Sequence, residues 1–235
     1  MNEFIRKRKS VRKYAQTPLD AAALAKVQAQ IAKVKPLYPD IRYSVEIVSK
    51  VKGIFNVKAP HYLIFGSEEK DGACENIGFV GQQLDLFFSE SGLGSCWLGM
   101  AKPGETDDAA LPHVISMSFG NPDEPIHREL SEFKRKPLLE ISEGVDERLE
   151  AARLAPSAMN AQKWFFIAGN GKIQCYRKKS VNALGFIYNK LHSIDMGIAL
   201  CHIAEESADF HFSKEAEAPE RKGYIYMGTV SSEAI

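Results

Sequence analysis

Apolar residues along this chain change period several times, and each change marks an expected element. Asp20 to Val34 is alanine-rich with apolar residues near helical spacing, which predicts a helix. Between Arg42 and Ser49, Tyr43, Val45 and Ile47 alternate with Ser44, Glu46 and Val48, the period of a strand. A second strand is expected over His61-Tyr62-Leu63-Ile64-Phe65, with Gly66 stopping it. Ile77, Val80, Leu84, Phe87 and Phe88 then fall on one face of a helix that ends near Gly92. Strand character returns over Val114-Ile115-Ser116-Met117-Ser118-Phe119, closed by a Gly120-Asn121-Pro122 turn.

A charged stretch from Glu124 to Glu143, holding Pro125 and Pro137, reads as a connector, and the plan then repeats. Val145 to Leu154 is a short helix that Pro156 stops, because the residue before proline avoids the helical region. Lys163-Trp164-Phe165-Phe166-Ile167 is a strand before a Gly169-Asn170-Gly171 turn. Leu184, Ile187, Leu191, Ile194, Ile198 and Cys201 step by threes and fours along a long helix, and Tyr224 to Gly228 forms a closing strand. Asn76-Ile77-Gly78 and Asp195-Met196-Gly197 are expected to open the two long helices alike. Such echoes have two readings: the ordinary recurrence of elements in an α+β chain, or an internal duplication packed about a pseudo-twofold axis.

Composition narrows the function classes. With 235 residues, 45% hydrophobic and 26% charged, the chain has the make-up of a soluble globular protein with a sizeable core. A formal net charge of +0 gives it no overall field for nucleic acid or anionic membrane. No apolar run approaches the roughly 20 residues that span a bilayer, and the basic start Met1 to Arg8 lacks the apolar stretch of a secretory signal. Cys74, Cys96, Cys175 and Cys201 form no Cys-x-x-Cys pair, so neither a disulfide framework nor a zinc site is expected. They read as small buried side chains of a cytoplasmic protein.

Three segments carry candidate chemistry. In Arg8-Lys9-Ser10-Val11-Arg12-Lys13-Tyr14, an extended backbone would put Arg8, Ser10 and Arg12 on one face. Two guanidiniums and a hydroxyl suit a phosphate, although a solvated basic arm has the same composition. In Ala155-Pro156-Ser157-Ala158-Met159-Asn160-Ala161-Gln162-Lys163-Trp164, small residues leave backbone open. Ser157, Asn160 and Gln162 could read the donor and acceptor edge of a planar heterocycle, or simply cap a loop. Gly92-Leu93-Gly94-Ser95-Cys96-Trp97-Leu98-Gly99-Met100 opens like a dinucleotide fingerprint, but Trp97 takes the third glycine position and the segment follows a helix. That excludes a Rossmann site. It leaves a tight loop approaching a ligand, or a helix stop followed by a buried strand.

Taken together, Arg-x-Ser-Val-Arg-x-Tyr, Gly-Leu-Gly-Ser-Cys-Trp-Leu-Gly and Ala-Pro-Ser-Ala-x-Asn-x-Gln-x-Trp resemble the nitroreductase superfamily. Gly120-Asn121-Pro122 and Arg135-Lys136-Pro137-Leu138 are similar to that family's closing segments. In ordinary members these segments occur once per chain, and a homodimer builds two FMN sites from both subunits. Here the Pro-Ser-Ala-Met-Asn segment comes after the closing strand, Gln30 to Pro39 stands in its usual place, and the second half has no basic segment. The chain therefore looks like the fused, pseudo-dimeric TM-nitroreductase branch, in which one composite site survives. The resemblance implies an α+β, nitroreductase-like fold of two pseudo-symmetric α/β halves, 1–141 and 142–235, with mostly antiparallel sheets and long central helices.

It further implies that Arg8, Lys9, Ser10 and Arg12 hold the FMN phosphate and ribityl chain, helped by Arg135. Pro156, Ser157, Ala158, Asn160 and Gln162 would line the flavin ring, and backbone at Leu98, Gly99 and Met100 would lie against it. Lys163 departs from the family's frequent proline and Gly99 from a glutamate of some members. FMN would take hydride from NADH or NADPH and pass it through N5 to a nitroaromatic, a quinone or another electron-poor small molecule. No side chain stands out as an acid–base catalyst, so protons are expected from water. A flavin-binding sensor or carrier without turnover is the alternative, and a nucleic-acid-binding module, resting on the basic N-terminus alone, is a distant third. A monomer is expected, with a homodimer through another surface left open.

Overall fold

A computed structural model describes residues 2–53, 57–104, 111–181, 185–215 and 218–231, with backbone only for Phe186. Before the charged stretch come α1 (Glu3–Lys7), α2 (Ala21–Ile31), β1 (Tyr43–Val48), β2 (His61–Ser67), α3 (Ala73–Glu90), β3 (Gly94–Leu98) and β4 (His113–Gly120). After it begins come α4 (Leu138–Ile141), β5 (Ser142–Glu143), α5 (Arg148–Leu154), β6 (Trp164–Gly169), β7 (Lys172–Lys178), α6 (Gly185–Ala204), β8 (His211–Ser213) and β9 (Tyr224–Ser231).

Local chemistry sets the boundaries. Asp20 Oδ1 accepts from the N–H of Ala23 and caps α2. Gly92, with φ at +75°, turns the chain out of α3, and the glycine segment then becomes strand β3. Of its two sequence readings, the helix stop with a buried strand is the one observed. Four expectations need correction. Gly66 does not stop β2: the strand continues to Ser67, and the glycine instead sits at a shift in register opposite β4. The connector is not plain linker, since Ser142–Glu143 pairs in parallel with β6 as an edge strand. β7 and β8 had no counterpart in the sequence reading; in β7 the alternation of Ile173 and Cys175 is masked by Lys172, Arg177 and Lys178. Finally, Asn76-Ile77-Gly78 lies at the start of α3 but Asp195-Met196-Gly197 lies in the second half of α6. Leu184 falls outside the described residues.

Two sheets flank the long helices. One has the order β1-β2-β4-β3 and the other β5-β6-β7-β9-β8; apart from the β5–β6 pair, every ladder among the described residues is antiparallel. α3 packs on β2, β3 and β4, α6 on β6 and β7, and the two helices pack on one another. Each turns a glycine to its neighbour's backbone. A Cβ on Gly78 would stand 2.1 Å from the carbonyl oxygen of Ile194, and one on Gly197 would stand 2.0 Å from that of Glu75. The reciprocity makes a crossing with no side chain between the backbones. Around it Phe88 stacks on Phe119 at 4.8 Å, and Phe65 on Trp97 at 5.6 Å. α3 is consequently buried on nearly all sides, as a helix between a sheet and another helix must be.

Candidate active site

Two adjoining cavities open where the N-terminal segment, β3, α6 and the loop after α5 meet. The first, of about 510 Å³, is walled mainly by apolar groups, among them Trp97, Ile115, Leu191, Ile194 and Ile198. The second is basic, with Arg8, Lys9, Arg12, Arg128, Lys134 and Arg135 around it. Ser10, Arg12, Pro156, Ser157 and Met159 belong to both walls, so the cavities are two compartments of one cleft. A pocket of this size with an apolar body and a few polar groups suits a flat ring system carrying an anionic tail.

The basic compartment gathers more positive charge than its own carboxylates neutralise. Burial, and then the nearby cations Arg128, Arg8 and Arg153, push the Arg135 guanidinium down to about 9. Burial and then Arg8 push Arg128 down to about 10. Arg135 donates through Nη1 to Asn160 Oδ1 and through Nη2 to the Leu154 carbonyl, while its buried Nε has no partner among the described residues. Arg12 is exposed at the junction; its backbone N–H donates to Glu124 Oε1 at 2.6 Å, which fixes the segment without occupying the guanidinium. A cluster of like charges with an unpartnered donor favours an anion held between them.

Arg8 has a different task. It is 1% exposed, as buried as the core phenylalanines. Its Nε lies 2.8 Å from Asp85 Oδ2 but off the N–H axis, an ionic contact rather than an aimed hydrogen bond, and Nη2 donates to Ser10 Oγ at 3.2 Å. Asp85 also accepts from Ser95 Oγ at 2.6 Å and from Gln82 Nε2 at 3.0 Å. Gln82 Nε2 reaches His202 Nε2 at 3.0 Å, and His202 Nδ1 lies 2.9 Å from the Ala151 carbonyl. Burial drives the imidazole down to about 3, so His202 is neutral. The tautomer that satisfies every partner donates from Nδ1 to Ala151 and accepts at Nε2. Gln82 Oε1 takes the indole N–H of Trp97 at 3.3 Å. This chain of bonds ties the basic segment, α3, β3, α6 and α5 into one rigid frame.

The loop after α5 is strained into shape. Met159, Asn160 and Gln162 all have φ between +47° and +54°, a region that costs ordinary residues on the order of 1 kcal/mol each. It is held from several sides. Asn160 Nδ2 donates to the Lys134 carbonyl at 2.6 Å, Ser157 Oγ accepts from the Gln162 N–H at 3.0 Å, and Gln162 Oε1 accepts from the Lys136 N–H at 2.8 Å. Asp195 Oδ1 on α6 accepts from the Ala158 N–H at 2.9 Å. Across the helix crossing the same bond recurs: Asn76 Oδ1 on α3 accepts from the Tyr38 N–H at 3.0 Å. Pro36-Leu37-Tyr38 thus stands to α3 as Pro156-Ser157-Ala158 stands to α6. At the Asn76 end the small Ala is replaced by a phenol ring, which packs against Gly72 and lies edge-on to Phe212 at 6.0 Å.

The family described as "Putative TM nitroreductase" matches residues 1–207. The chain belongs to the nitroreductase family. Among solved structures, a crystal structure from Thermotoga maritima MSB8 titled a "putative nitroreductase" has a TM-score of 0.65 and 22% identity, covering 98% of this chain and 92% of that one. A nitroreductase family protein from Clostridium difficile 630 has a TM-score of 0.48 and 18% identity, over 60% of this chain and 95% of that one. An FMN-dependent nitroreductase from Clostridium difficile R20291 has a TM-score of 0.44 and 19% identity, over 57% and 95%. A search of curated proteins returns no match. No helix among the described residues is long and apolar enough to cross a membrane.

Of the residues the nitroreductase motifs single out, the fold brings Arg8, Lys9, Ser10, Arg12 and Arg135 to the basic compartment and Gly99, Met100, Pro156, Ser157 and Ala158 to the apolar one. Asn160 sits with Arg135 at the basic end rather than along the apolar wall. Leu98 and Gln162 line neither: Leu98 is a buried end of β3, and both ends of the Gln162 amide are spent on the loop and Lys136. Sequence reasoning missed Asp195, Tyr188, Arg128 and Lys134. Arg128 and Lys134 lie in the charged connector, where nothing separates a wall residue from a solvated one. Asp195 left a signal, an acid at a position where the helical stripe Leu191, Ile194, Ile198 predicts burial.

Proposed function

We propose that this chain binds one FMN across the two compartments and works as an NAD(P)H-dependent oxidoreductase on an electron-poor small molecule, of the nitroaromatic or quinone type. The observation that carries this reading is the shared wall. A basic compartment, in which Arg135 Nε has no partner among the described residues, opens directly into an apolar one through Ser10, Arg12, Pro156, Ser157 and Met159. The residues present fit the group. Arg12 and Arg135, with Lys9 and Lys134, would take the phosphate; Ser10 and Ser157 would face the ribityl chain; Trp97, Ala158 and the α6 side chains would enclose the ring. When bound, FMN supplies two-electron chemistry that amino-acid side chains lack. The protein's part is to hold the phosphate, to exclude water along the α6 wall and to leave one face open for donor and acceptor in turn.

The purified chain is expected to be yellow, and to bleach on anaerobic addition of NADPH. A colourless protein that takes up no FMN defeats the reading; a yellow one that resists NADPH and NADH makes it a binder without turnover. Arg12→Ala removes a charge-assisted contact worth about 1.5–3 kcal/mol, so FMN affinity measured by flavin fluorescence quenching should fall roughly 10–100-fold. Wild-type affinity in that variant would remove Arg12 from the phosphate site.

We read the halves 1–141 and 142–235 as a duplicated pair in which one site has closed. Support comes from the reciprocal Gly78 and Gly197 contacts and from the matched bonds of Asn76 and Asp195, with Tyr38 filling what Ala158 leaves open. Calorimetric titration of apoprotein should therefore give one FMN per chain. Two equivalent sites would contradict it.

A further inference from the structure

Among the described residues, seven large apolar side chains stand exposed, and three of them, Met100, Met159 and Ile187, line the apolar compartment. A side chain that lines a cavity and also meets solvent stands at its mouth. Met159 belongs to the basic compartment as well, so it marks the junction. Met100, 52% exposed, and Ile187, 48% exposed, line only the apolar one of the two. Along the α6 stripe, Ile187 is exposed, Leu191 half-buried, and Ile194 and Ile198 buried, so the compartment deepens along the helix from Ile187 inward. On the opposite side, a Cβ on Gly99 would stand 3.3 Å from Leu191 Cδ2, which brings the end of β3 against α6. Met100 follows Gly99, and Ile187 precedes Leu191 by about one helical turn on the same face. The two therefore form facing lips of one opening.

The opening is also uncharged. Arg12 and Asp195 are the charged side chains among the described residues of the compartment wall. Arg12 stands at the junction with the basic compartment, and Asp195 is packed inward, its Oδ1 accepting from the Ala158 N–H. Lys190, close to Ile187 along the chain, lines a separate hollow beside Arg177 and His113. A carboxylate entering between the lips would lose water without gaining a partner. A hydrocarbon chain would instead cover two apolar side chains that solvent now meets. Methionine suits such a lip, because its unbranched thioether adapts to chains of different shape.

We propose that Met100 and Ile187 select the electron acceptor, favouring an uncharged quinone that carries an alkyl side chain over one that carries a carboxylate. The proposal rests on the FMN reading above and narrows its acceptor class. The ring of the acceptor passes inward between the lips, and its side chain lies along Met100 and Ile187 at the mouth. In the reduction the quinone takes two electrons and two protons, one proton with the hydride from the reduced cofactor and the other from water. It leaves as the hydroquinone, with no further oxidant or reductant.

The test compares three acceptors that share one ring: 2,3-dimethoxy-5-methyl-1,4-benzoquinone bare, with a 6-decyl chain, and with a 6-carboxypropyl chain. FMN-loaded protein, reduced with dithionite without oxygen, is mixed with each in a stopped-flow instrument. In wild type the decyl compound should react about tenfold faster than the bare ring, the gain of about two buried methylenes, and the carboxypropyl compound slower than the bare ring. In Met100→Ser and in Ile187→Ser the ratio of decyl to bare ring should fall towards about one. Both side chains are half in solvent, so neither change empties a packed core. Val145→Ser, at an exposed apolar residue outside the compartment wall, should keep the wild-type ratio. Equal rates for the three acceptors in wild type overturn the proposal, as do lip variants that slow all three alike, or a loss of the ratio in Val145→Ser. Binding of the decyl compound to apoprotein, followed by quenching of tryptophan fluorescence, should weaken about tenfold in both lip variants, and unchanged binding overturns the proposal too. This last arm needs no flavin: a chain that takes up no FMN overturns the earlier reading, while the quenching still decides on the lips.

Discussion

Gly197→Ala is expected to destabilise the protein by about 3 kcal/mol or more, although alanine ordinarily stabilises a helix interior by up to about 1 kcal/mol over glycine. The sign reversal is the diagnostic. The added Cβ would sit 2.0 Å from a backbone carbonyl oxygen of α3, an atom that cannot rotate aside, so the helices must part along their whole contact. Each helix also carries a sheet, and parting them loosens both layers. Urea denaturation should show a lower midpoint with an unchanged slope, and Gly78→Ala should behave alike because its contact with Ile194 is the reciprocal one. A midpoint at or above that of wild type would mean that the helices do not meet backbone to backbone.

The second large effect concerns ligand rather than fold. Ala158→Tyr installs at the open end of the crossing the side chain that closes the other end at Tyr38. The ring would point into the compartment assigned to the flavin, so FMN affinity should fall by about 1000-fold or more, equivalent to about 4 kcal/mol. Thermal stability of the apoprotein should hardly move, since the ring enters existing space instead of displacing packed atoms. Retained FMN binding in a folded Ala158→Tyr protein would place the cofactor elsewhere, and with it the whole assignment of the apolar compartment.

Much of this arrangement was legible in the sequence. Alternation found β1, strand character closed by a Gly-Asn-Pro turn found β4, helical spacing found α3 and α6, and Pro156 found the end of α5, because each signal is local and needs no partner to be recognised. Gly66 misled, since a glycine inside a strand looks like a stop until the neighbouring ladder is seen to shift register beside it. β7 was hidden because its ends are cationic and its inner face is short. The site was legible as motifs and illegible as geometry. The composition of Arg8-Lys9-Ser10-Val11-Arg12 cannot reveal that Arg8 is a buried strut on Asp85 whereas Arg12 is free at the junction. Gln162 and Asn160 differ in the same way: both are polar loop residues, but only the fold shows that one amide is consumed internally and the other braces a guanidinium. Asp195 shows the opposite limit. Its burial was predictable from the stripe around it, but what it faces depends on segments more than thirty residues earlier in the chain.

The cleft draws one wall from Ser10, Arg12, Trp97, Gly99 and Met100 and the other from Pro156, Ser157, Ala158 and Met159, all on one polypeptide. Its integrity is therefore independent of protein concentration. Where two separate molecules must meet to complete a pocket, dilution empties it by mass action, whereas here the opposing surfaces are tethered to one another. The same tether releases each wall from having to serve twice, so an acid can stand at one end of the crossing while an amide stands at the other.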